Sequence, residues 1–426
     1  MYLTLRPDRR AGDRTGDPRA RRGRVAGPVL LLGVVSLLTD VSSESVAAVL
    51  PLYLTAVVGL GPAGYGLVDG VYQGVTALVR LAGGYAADRG GRPKRVAVLG
   101  YGVSAVSRLA LLPATGLAAV TATVTADRLG KGLRTAPRDA LIAAASRPGL
   151  LGRSFGVHRA LDTVGAAVGP LLAFGLLAGL PGDYSAVFVV SFAFAAVGVA
   201  VLVLFVPDLR TSAAAGPGGQ VAAGVSPPVG PRRVLAEVTG RRLRRPLLAA
   251  TLLALLTVSD GFVYLSLQDR DDFAARWFPL LYVGTNVAYL VLAVPFGRLA
   301  DRFGAGRVLV AGHLALPVCY LLAAAPAGGL GTTVAVLALL GVFYAATDGV
   351  LPALVGRLAA GPARGSGIAA AQTAVALARF AASVVFGLLW TVQGRANALL
   401  LFAGLLTAAV PVAGWLLRGS RGEGGM

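Results

Sequence analysis

Two groups of residues in this chain have the types and spacing to bind protons or charged ligands. In TADRLGKGLRTAPRDALI, residues 125–142, the side chains Asp127, Arg128, Lys131, Arg134, Arg138 and Asp139 fall within thirteen positions. Asp127, Lys131, Arg134 and Arg138 are separated by steps of 4, 3 and 4, which on an α-helix sets them along one face. Arg128, Thr135 and Asp139 form a second stripe roughly 100° around. In LTDVSSESV, Asp40 and Glu44 are four apart and share a face in the same way. A carboxyl held beside movable cations can take up and release a proton as those distances change, and a net-positive stripe suits an anion. The chemistry to expect from these groups is proton transfer and charge recognition.

The elements that carry them are membrane helices. Of 426 residues, 56% are hydrophobic and 14% charged, and the mean hydropathy is +0.72, too little polar surface to cover a soluble globule. At about 20 apolar residues per span, the pattern predicts helices over roughly 27–58, 64–87, 95–115, 117–145, 152–180, 184–206, 246–268, 277–300, 307–326, 330–357, 365–392 and 395–417. Entering helix 4 at residue 117, ten residues at ~1.5 Å each put Asp127 about 15 Å deep, and the same count from Pro28 puts Asp40 about 18 Å deep. A charge facing lipid there costs at least ~2.5–3.5 kcal/mol, so the stripes require water or partner charges opposite. The competing reading ends the span near Leu129, with a break at Pro137 and a solvated interfacial helix beyond.

The tail, the loops near 88–95, 146–153, 301–307 and 357–364, the 207–245 connection and the C-terminus hold 27 basic residues, whereas the opposite loops hold Arg270, Arg276 and Arg395. The positive-inside rule therefore predicts that both termini are cytoplasmic. This placement between apolar segments also explains the net charge of +19 without nucleic acid, which would need a basic soluble domain. The single cysteine, Cys319, excludes a disulfide within the chain, and two histidines and two methionines make a metal site unexpected. His158 and His313 lack the partners of an enzyme active site, and no phosphate-cradling Gly-rich loop ending in Lys-Ser/Thr is present. The expectation is a protein that is not an enzyme and carries no cofactor.

Gly84-x-x-x-Asp88-Arg89-x-Gly91-Arg92, followed by Lys94 and Arg95, returns as Gly297-x-x-x-Asp301-Arg302-x-Gly304, offset by 213 residues. This pair resembles the loop motif of the major facilitator superfamily, over a region from about residue 27 to 417. Gly156, Gly165 and Gly169-Pro170 in helix 5 resemble the motif that marks proton-exchanging exporters of that superfamily, although Ala173 and Phe174 stand where two glycines would follow. LTDVSSE, FGVHRALDTVGAAVGP and TVSDGF resemble a bacterial branch named only for transport. The resemblance implies an all-α polytopic membrane protein with twelve transmembrane helices in two six-helix pseudo-repeats. Its expected parts are a disordered basic cytoplasmic tail at 1–26, bundles at 27–206 and 246–417, a cytoplasmic linker at 207–245 and a tail at 418–426. It implies secondary transport of a small molecule by alternating access in the cytoplasmic membrane, with export in exchange for protons. Uptake or exchange of a small organic anion is the alternative within transport, and a non-transporting sensor or scaffold is the alternative outside it. The expected partners are a small-molecule substrate, protons and the lipid bilayer, with the chain a monomer.

Within that frame the residues take candidate roles. Asp40, Glu44, Asp127 and Asp162 are proton-coupling candidates, Asp40 first, with Arg128 or Arg159 as its expected neighbour. Arg128, Lys131, Arg134, Arg138, Arg159, Asp260, Asn286, Tyr344, Asp348, Gln372 and Arg379 are candidates for a central cavity and its substrate. Gly84, Asp88, Arg89, Gly91 and Arg92, with Gly297, Asp301 and Arg302, form a candidate conformational latch, in which a small residue lets a helix approach and an aspartate meets a positive helix end. Gly156, Gly165, Gly169 and Pro170 offer a small-residue packing face and a bend.

Overall fold

The computed structural model describes residues 25–90, 93–146, 149–208, 241–358 and 364–418, with the backbone path alone at 80–90, 241–242, 357 and 364–366. A bilayer core offers no water to satisfy backbone amides, so long apolar segments there satisfy their hydrogen bonds internally as helices. The described residues are accordingly helical, with no strand among them. In chain order they form α1 (Gly27–Leu52), which continues as a π-turn over Tyr53–Val57, α2 (Pro62–Gly90), α3 (Pro93–Ala110), α4 (Gly116–Ala145), α5 (Leu151–Gly179) and α6 (Tyr184–Leu204). After residues 209–240 come α7 (Arg241–Leu255), α8 (Asp260–Asp271), a 3-10 turn at Ala275–Trp277, α9 (Phe278–Phe303), α10 (Ala305–His313), α11 (Ala315–Ala324), α12 (Leu330–Thr347), α13 (Val350–Leu358), α14 (Arg364–Gln393) and α15 (Arg395–Arg418). Consecutive short helices combine into longer rods, and among the described residues nine rods are long and apolar enough to cross a membrane. The remaining three rods are α2, α3 and α4, and α4 carries the charge stripes.

Consecutive rods alternate in direction, as the contacts register. Leu37 meets Gly165 and Val41 meets Gly169, so α1 and α5 run parallel; Ala63 meets Thr391 and Gly70 meets Phe380, so α2 and α14 run antiparallel. Residues 25, 208, 241 and 418 therefore lie on one face, the terminal face, and the opposite one is the distal face. In the first set of six rods, α1 packs on α5 and α6, and α4 on α2 and α3. In the second set, α9 packs on α12, α11 on α15, and α7 on α14 and α15. The two sets meet mainly along α2 with α14 and α5 with α9.

The first seam is closed in its distal half by glycines. A Cβ at Gly66 would stand 2.5 Å from the Ser383 carbonyl oxygen, and one at Gly70 would stand 2.9 Å from that of Phe380. The backbones thus approach more closely than any larger residue permits. Phe262 of α8 seals the same region, stacking edge-on against Tyr65 at 4.7 Å and Phe386 at 4.8 Å. At the second seam Phe174 stacks on Trp277 at 5.4 Å, again near the distal face.

Three expected continuous helices are interrupted, the ninth at Leu314 between α10 and α11. The seventh rod stops at Leu255 and resumes at Asp260, and the tenth is broken at Asp348–Gly349. At the first break the Thr257 hydroxyl donates to the Leu253 carbonyl at 2.9 Å, and the Val258 amide leaves the helical ladder to donate to the Tyr320 hydroxyl at 2.8 Å. The free backbone group is thereby satisfied without a helical partner. In contrast, α4 runs unbroken through Pro137 to Ala145, without the expected break at Pro137.

Candidate functional site

Charge on α4 is matched by acids on its neighbours. Asp127 forms ion pairs with both Arg108 of α3 and Arg128. Arg108 also donates to the Ser43 hydroxyl at 2.8 Å, and Arg128 lies over the Tyr72 ring at 3.8 Å. Lys131 faces Glu44 of α1 at 3.8 Å, and Arg134 faces Asp40 at 4.0 Å while stacking over Tyr101 at 4.5 Å. Arg138 binds Asp139 at 3.0 Å and reaches Asp162 of α5 at 3.9 Å; Arg159 meets the other Asp162 oxygen at 2.8 Å. Every acid of this network finds a cation, as groups withdrawn from water must.

Asp40 and Asp162 are also within hydrogen-bonding reach of each other. Two carboxyls form such a bond only when one of them carries a proton, since two carboxylates have acceptors and no donor. Their spacing is set by glycine: a Cβ at Gly165, three residues beyond Asp162, would stand 2.4 Å from the carbonyl oxygen of Leu37, three residues before Asp40. The Ser45 hydroxyl donates to the Gly169 carbonyl at 2.9 Å and fixes the same seam. His158 shares a 3.5 Å contact with the Ser36 hydroxyl beside the pair. Thus Asp40 has Arg134 and Asp162 as neighbours, not Arg128 or Arg159 as expected from spacing, because Arg128 is held by Asp127 and Arg159 projects outward.

Between the two sets of rods lies a cavity of about 290 Å³ lined by Glu44, Asp69, Tyr65, Tyr72, Tyr282 and Tyr344 together with Asp260, Asn286, Tyr289 and Asp348. The Tyr344 hydroxyl donates to Asp260 at 2.8 Å, and the Ser383 hydroxyl donates to Asp69 across the seam. The helix break puts Asp260 in the first turn of α8, where the amide ends favour a carboxylate. A second cavity of about 310 Å³ lies among α2, α7, α10, α14 and the broken tenth rod, lined by Thr257, His313, Gln372 and Arg379 among others. Gln73 and Asp348 line both cavities, which makes them the wall or the passage between the two. The second cavity lies on the terminal side of the glycine seam, whereas the central one lies at the level of the seam, beside Tyr65, Val68 and Asp69 of α2.

Of the cavity candidates, Asp260, Asn286, Tyr344, Asp348, Gln372 and Arg379 are brought to these two spaces, while Arg128, Lys131, Arg134, Arg138 and Arg159 are not among their linings. Arg134 and Arg138 turn toward Asp40 of α1 and Asp162 of α5, and Arg128 is held by Asp127 on α4 itself and lies over Tyr72 of α2. Glu44 sits at the central cavity and Asp127 in a doubly bridged cluster, so the four proton candidates occupy different settings. Gly165 and Gly169 make the expected close helix contact and Pro170 is buried inside α5, but a Cβ at Gly156 would meet nothing within 4 Å. The same is true of Gly297, so neither of these two glycines serves close approach here. Arg302 lies over the Phe303 ring at 5.3 Å and Asp301 is exposed. Gly91 and Arg92, and the side chains of Asp88 and Arg89, lie outside the described residues, as do the tail at 1–24 and the connection at 209–240; Gly84 is described only as part of the α2 backbone.

Sequence reasoning missed Asp69, Tyr65, Tyr72, Gln73 and Tyr282 as cavity residues. The first four lie within one stretch of α2, YGLVDGVYQG, where an acid and two tyrosines recur at i, i+4 and i+7. That spacing is one helix face, and it was the available signal.

Residues 32–285 match the family model of the Major Facilitator Superfamily. Over 377 residues, covering 86% of this chain and 89% of the relative, the sequence is 30% identical to the MFS-type transporter MJ1317 of Methanocaldococcus jannaschii. In fold the chain is similar to the crystal structure of nucleoside transporter NupG, with a TM-score of 0.75 over 92% of this chain and 99% of that one at 14% identity. It is also similar to a bacterial homolog of the human lysosomal transporter Spinster in an inward-facing, unoccupied conformation, with a TM-score of 0.71 over 96% and 100% of the two chains at 13% identity. Apolar helical rods, paired intramembrane charges and a cavity between two sets of rods are what a carrier across a bilayer requires, and with these relatives they make the protein a multi-pass membrane transporter that belongs to the Major Facilitator Superfamily.

Proposed function

We propose that this transporter is a proton-coupled antiporter of the cytoplasmic membrane that exports a small molecule, with the Asp40–Asp162 carboxyl pair as the proton carrier. The observation that carries this reading is the hydrogen-bonding reach between those two carboxyls, with Arg134 and Arg138 standing beside them. A proton holds the pair together, and loss of the proton leaves two carboxylates that the two arginines stabilise instead. The link to the substrate space runs along α1. Glu44 lines the central cavity, holds Lys131, and lies one turn from Asp40 on the same helix face. A substrate that engages Glu44 frees Lys131 to turn toward Asp40, which favours release of the proton. Substrate binding and proton release then go together, which is the sign antiport needs.

With both termini cytoplasmic, the distal face is external and the glycine seam closes the external side, so the second cavity lies on the internal side and the central one beside the closure. The test is a reconstituted one. Proteoliposomes with a pH-sensitive dye in the lumen are exposed to a panel of cationic, neutral and anionic small molecules. A compound-dependent proton movement in wild type that disappears in Asp40→Asn is expected. Compound flux with no proton movement, or equal proton movement in the variant, contradicts the coupling assignment.

A further inference from the structure

We infer that the central cavity takes a compact organic cation, an amine or quaternary ammonium carried on a small aromatic or aliphatic body. This deepens the transport reading and rests on it only for the steps after binding.

The first ground is charge. Asp69, Asp260 and Asp348 line the two adjoining spaces, and among the described residues no cation stands within 4 Å of any of them. Asp69 is held by the Ser383 hydroxyl and Asp260 by the Tyr344 hydroxyl, both neutral donors. The other lining acid, Glu44, has Lys131 at 3.8 Å. Among the described residues lining these cavities Arg379 is the one guanidinium, and it stands by the Phe343 ring at 5.9 Å. Three carboxylates facing one guanidinium leave negative charge that an occupant must answer. The arginines and lysine of α4 cannot do so, because Asp127, Asp40, Asp139, Asp162 and Glu44 already hold them.

The second ground is the wall. Tyr65, Tyr72, Tyr282, Tyr289 and Tyr344 surround the same 290 Å³, and an aromatic wall beside acids is the environment that holds ammonium groups through the negative face of the rings. One of these rings already holds a cation from outside the cavity: the guanidinium of Arg128 lies 3.8 Å from the centre of the Tyr72 ring. The third ground is size. A space of about 290 Å³ lies at the lower end of small-molecule pockets, which fits an occupant of one ring and one charged group and excludes large polycyclic drugs. An anion, the alternative within transport, would meet Asp69, Asp260 and Asp348 with only Arg379 to oppose them.

Equilibrium binding of radiolabelled benzyltrimethylammonium to the purified full-length protein in detergent tests the assignment. Its competitors are neopentylbenzene, the uncharged shape analogue, and phenylacetate. Saturable binding that the neutral analogue and the anion displace at least about tenfold more weakly than unlabelled cation is expected. Asp260→Asn should weaken the cation about tenfold. Tyr282→Leu should also weaken it, while Tyr282→Phe, which keeps the ring, preserves it; this pair leaves the carboxylates intact and covers the case in which the aspartate variant does not fold. Equal affinity for the neutral analogue, or preference for phenylacetate, overturns the inference. Cation binding without cation flux in proteoliposomes supports the site and contradicts transport; flux of a neutral or anionic compound with no cation binding overturns the site and leaves transport standing.

Discussion

Replacing Gly165 by alanine tests whether the spacing of α1 and α5 holds the proton pair. The added Cβ would lie 2.4 Å from the Leu37 carbonyl oxygen, and ordinary contact begins at 3.4 Å, so the backbones must part by about 1 Å. Leu37 and Gly165 lie less than one turn from Asp40 and Asp162, so most of that displacement reaches the carboxyls. A hydrogen bond between oxygens at about 2.7 Å becomes a separation near 3.7 Å, beyond bonding range. In energy, overpacking costs about 1–3 kcal/mol, offset by the ~0.5–1 kcal/mol that alanine gains over glycine inside a helix. Gly156→Ala is the internal control: its Cβ meets nothing within 4 Å, so only the helical gain of ~0.5–1 kcal/mol remains. The assay is thermal unfolding in detergent, together with the infrared carbonyl band of a protonated carboxyl, identified by its loss in Asp40→Asn. Gly165→Ala should unfold earlier and weaken that band, and Gly156→Ala should unfold at the same temperature or later with the band intact. A Gly165→Ala protein as stable as wild type with an unchanged band would refute the reasoning.

Three further outcomes follow from the geometry. Asp127→Asn strands Arg108 and Arg128, whose side chains are 3% and 5% exposed, and loss of one partner from a buried pair costs about 3–5 kcal/mol; fluorescence-detected size exclusion should show a large fall in folded protein, and wild-type yield and melting would contradict the structural role. Gly66→Val forces α2 away from α14, so the distance between spin labels at the exposed distal positions Leu117 and Val392 should lengthen in pulsed-dipolar spectroscopy; an unchanged distribution would show that the glycine seam does not close the distal side. Ser383→Ala removes a hydroxyl that ties Asp69 across the halves, and should shift the same label pair in the same direction by a smaller amount, with no shift counting against a hydrogen-bonded closure.

The helices were legible because an apolar run of membrane length has one stable form, and the charge stripe was legible because 4-3-4 spacing names a face. Which acid meets which cation was not. Asp40 pairs with Arg134 and Asp162 because α1 packs parallel to α5 through Gly165, a relation between helices that periodicity within one helix does not contain. The breaks near Asp260 and Asp348 had a local signal: Ser-Asp-Gly at 259–261 and Thr-Asp-Gly at 347–349 are turn sequences. The surrounding hydropathy outweighed them. Asp69 was visible as an intramembrane acid, yet its role depends on Ser383, 314 positions away. The α4 arginines were expected at the cavity because they are charges within a span, and they lie elsewhere because their counter-ions are on helices of the same half.

The central claim is that a proton on the Asp40–Asp162 pair drives movement of a substrate held elsewhere. Uptake of labelled benzyltrimethylammonium into proteoliposomes, with and without an acid interior, measures it directly. Wild type should accumulate the cation above its outside concentration only while the gradient persists, and Asp40→Asn should lose accumulation while still exchanging labelled for unlabelled cation without a gradient. Accumulation by Asp40→Asn equal to that of wild type, or wild-type accumulation indifferent to the pH gradient, would contradict the account.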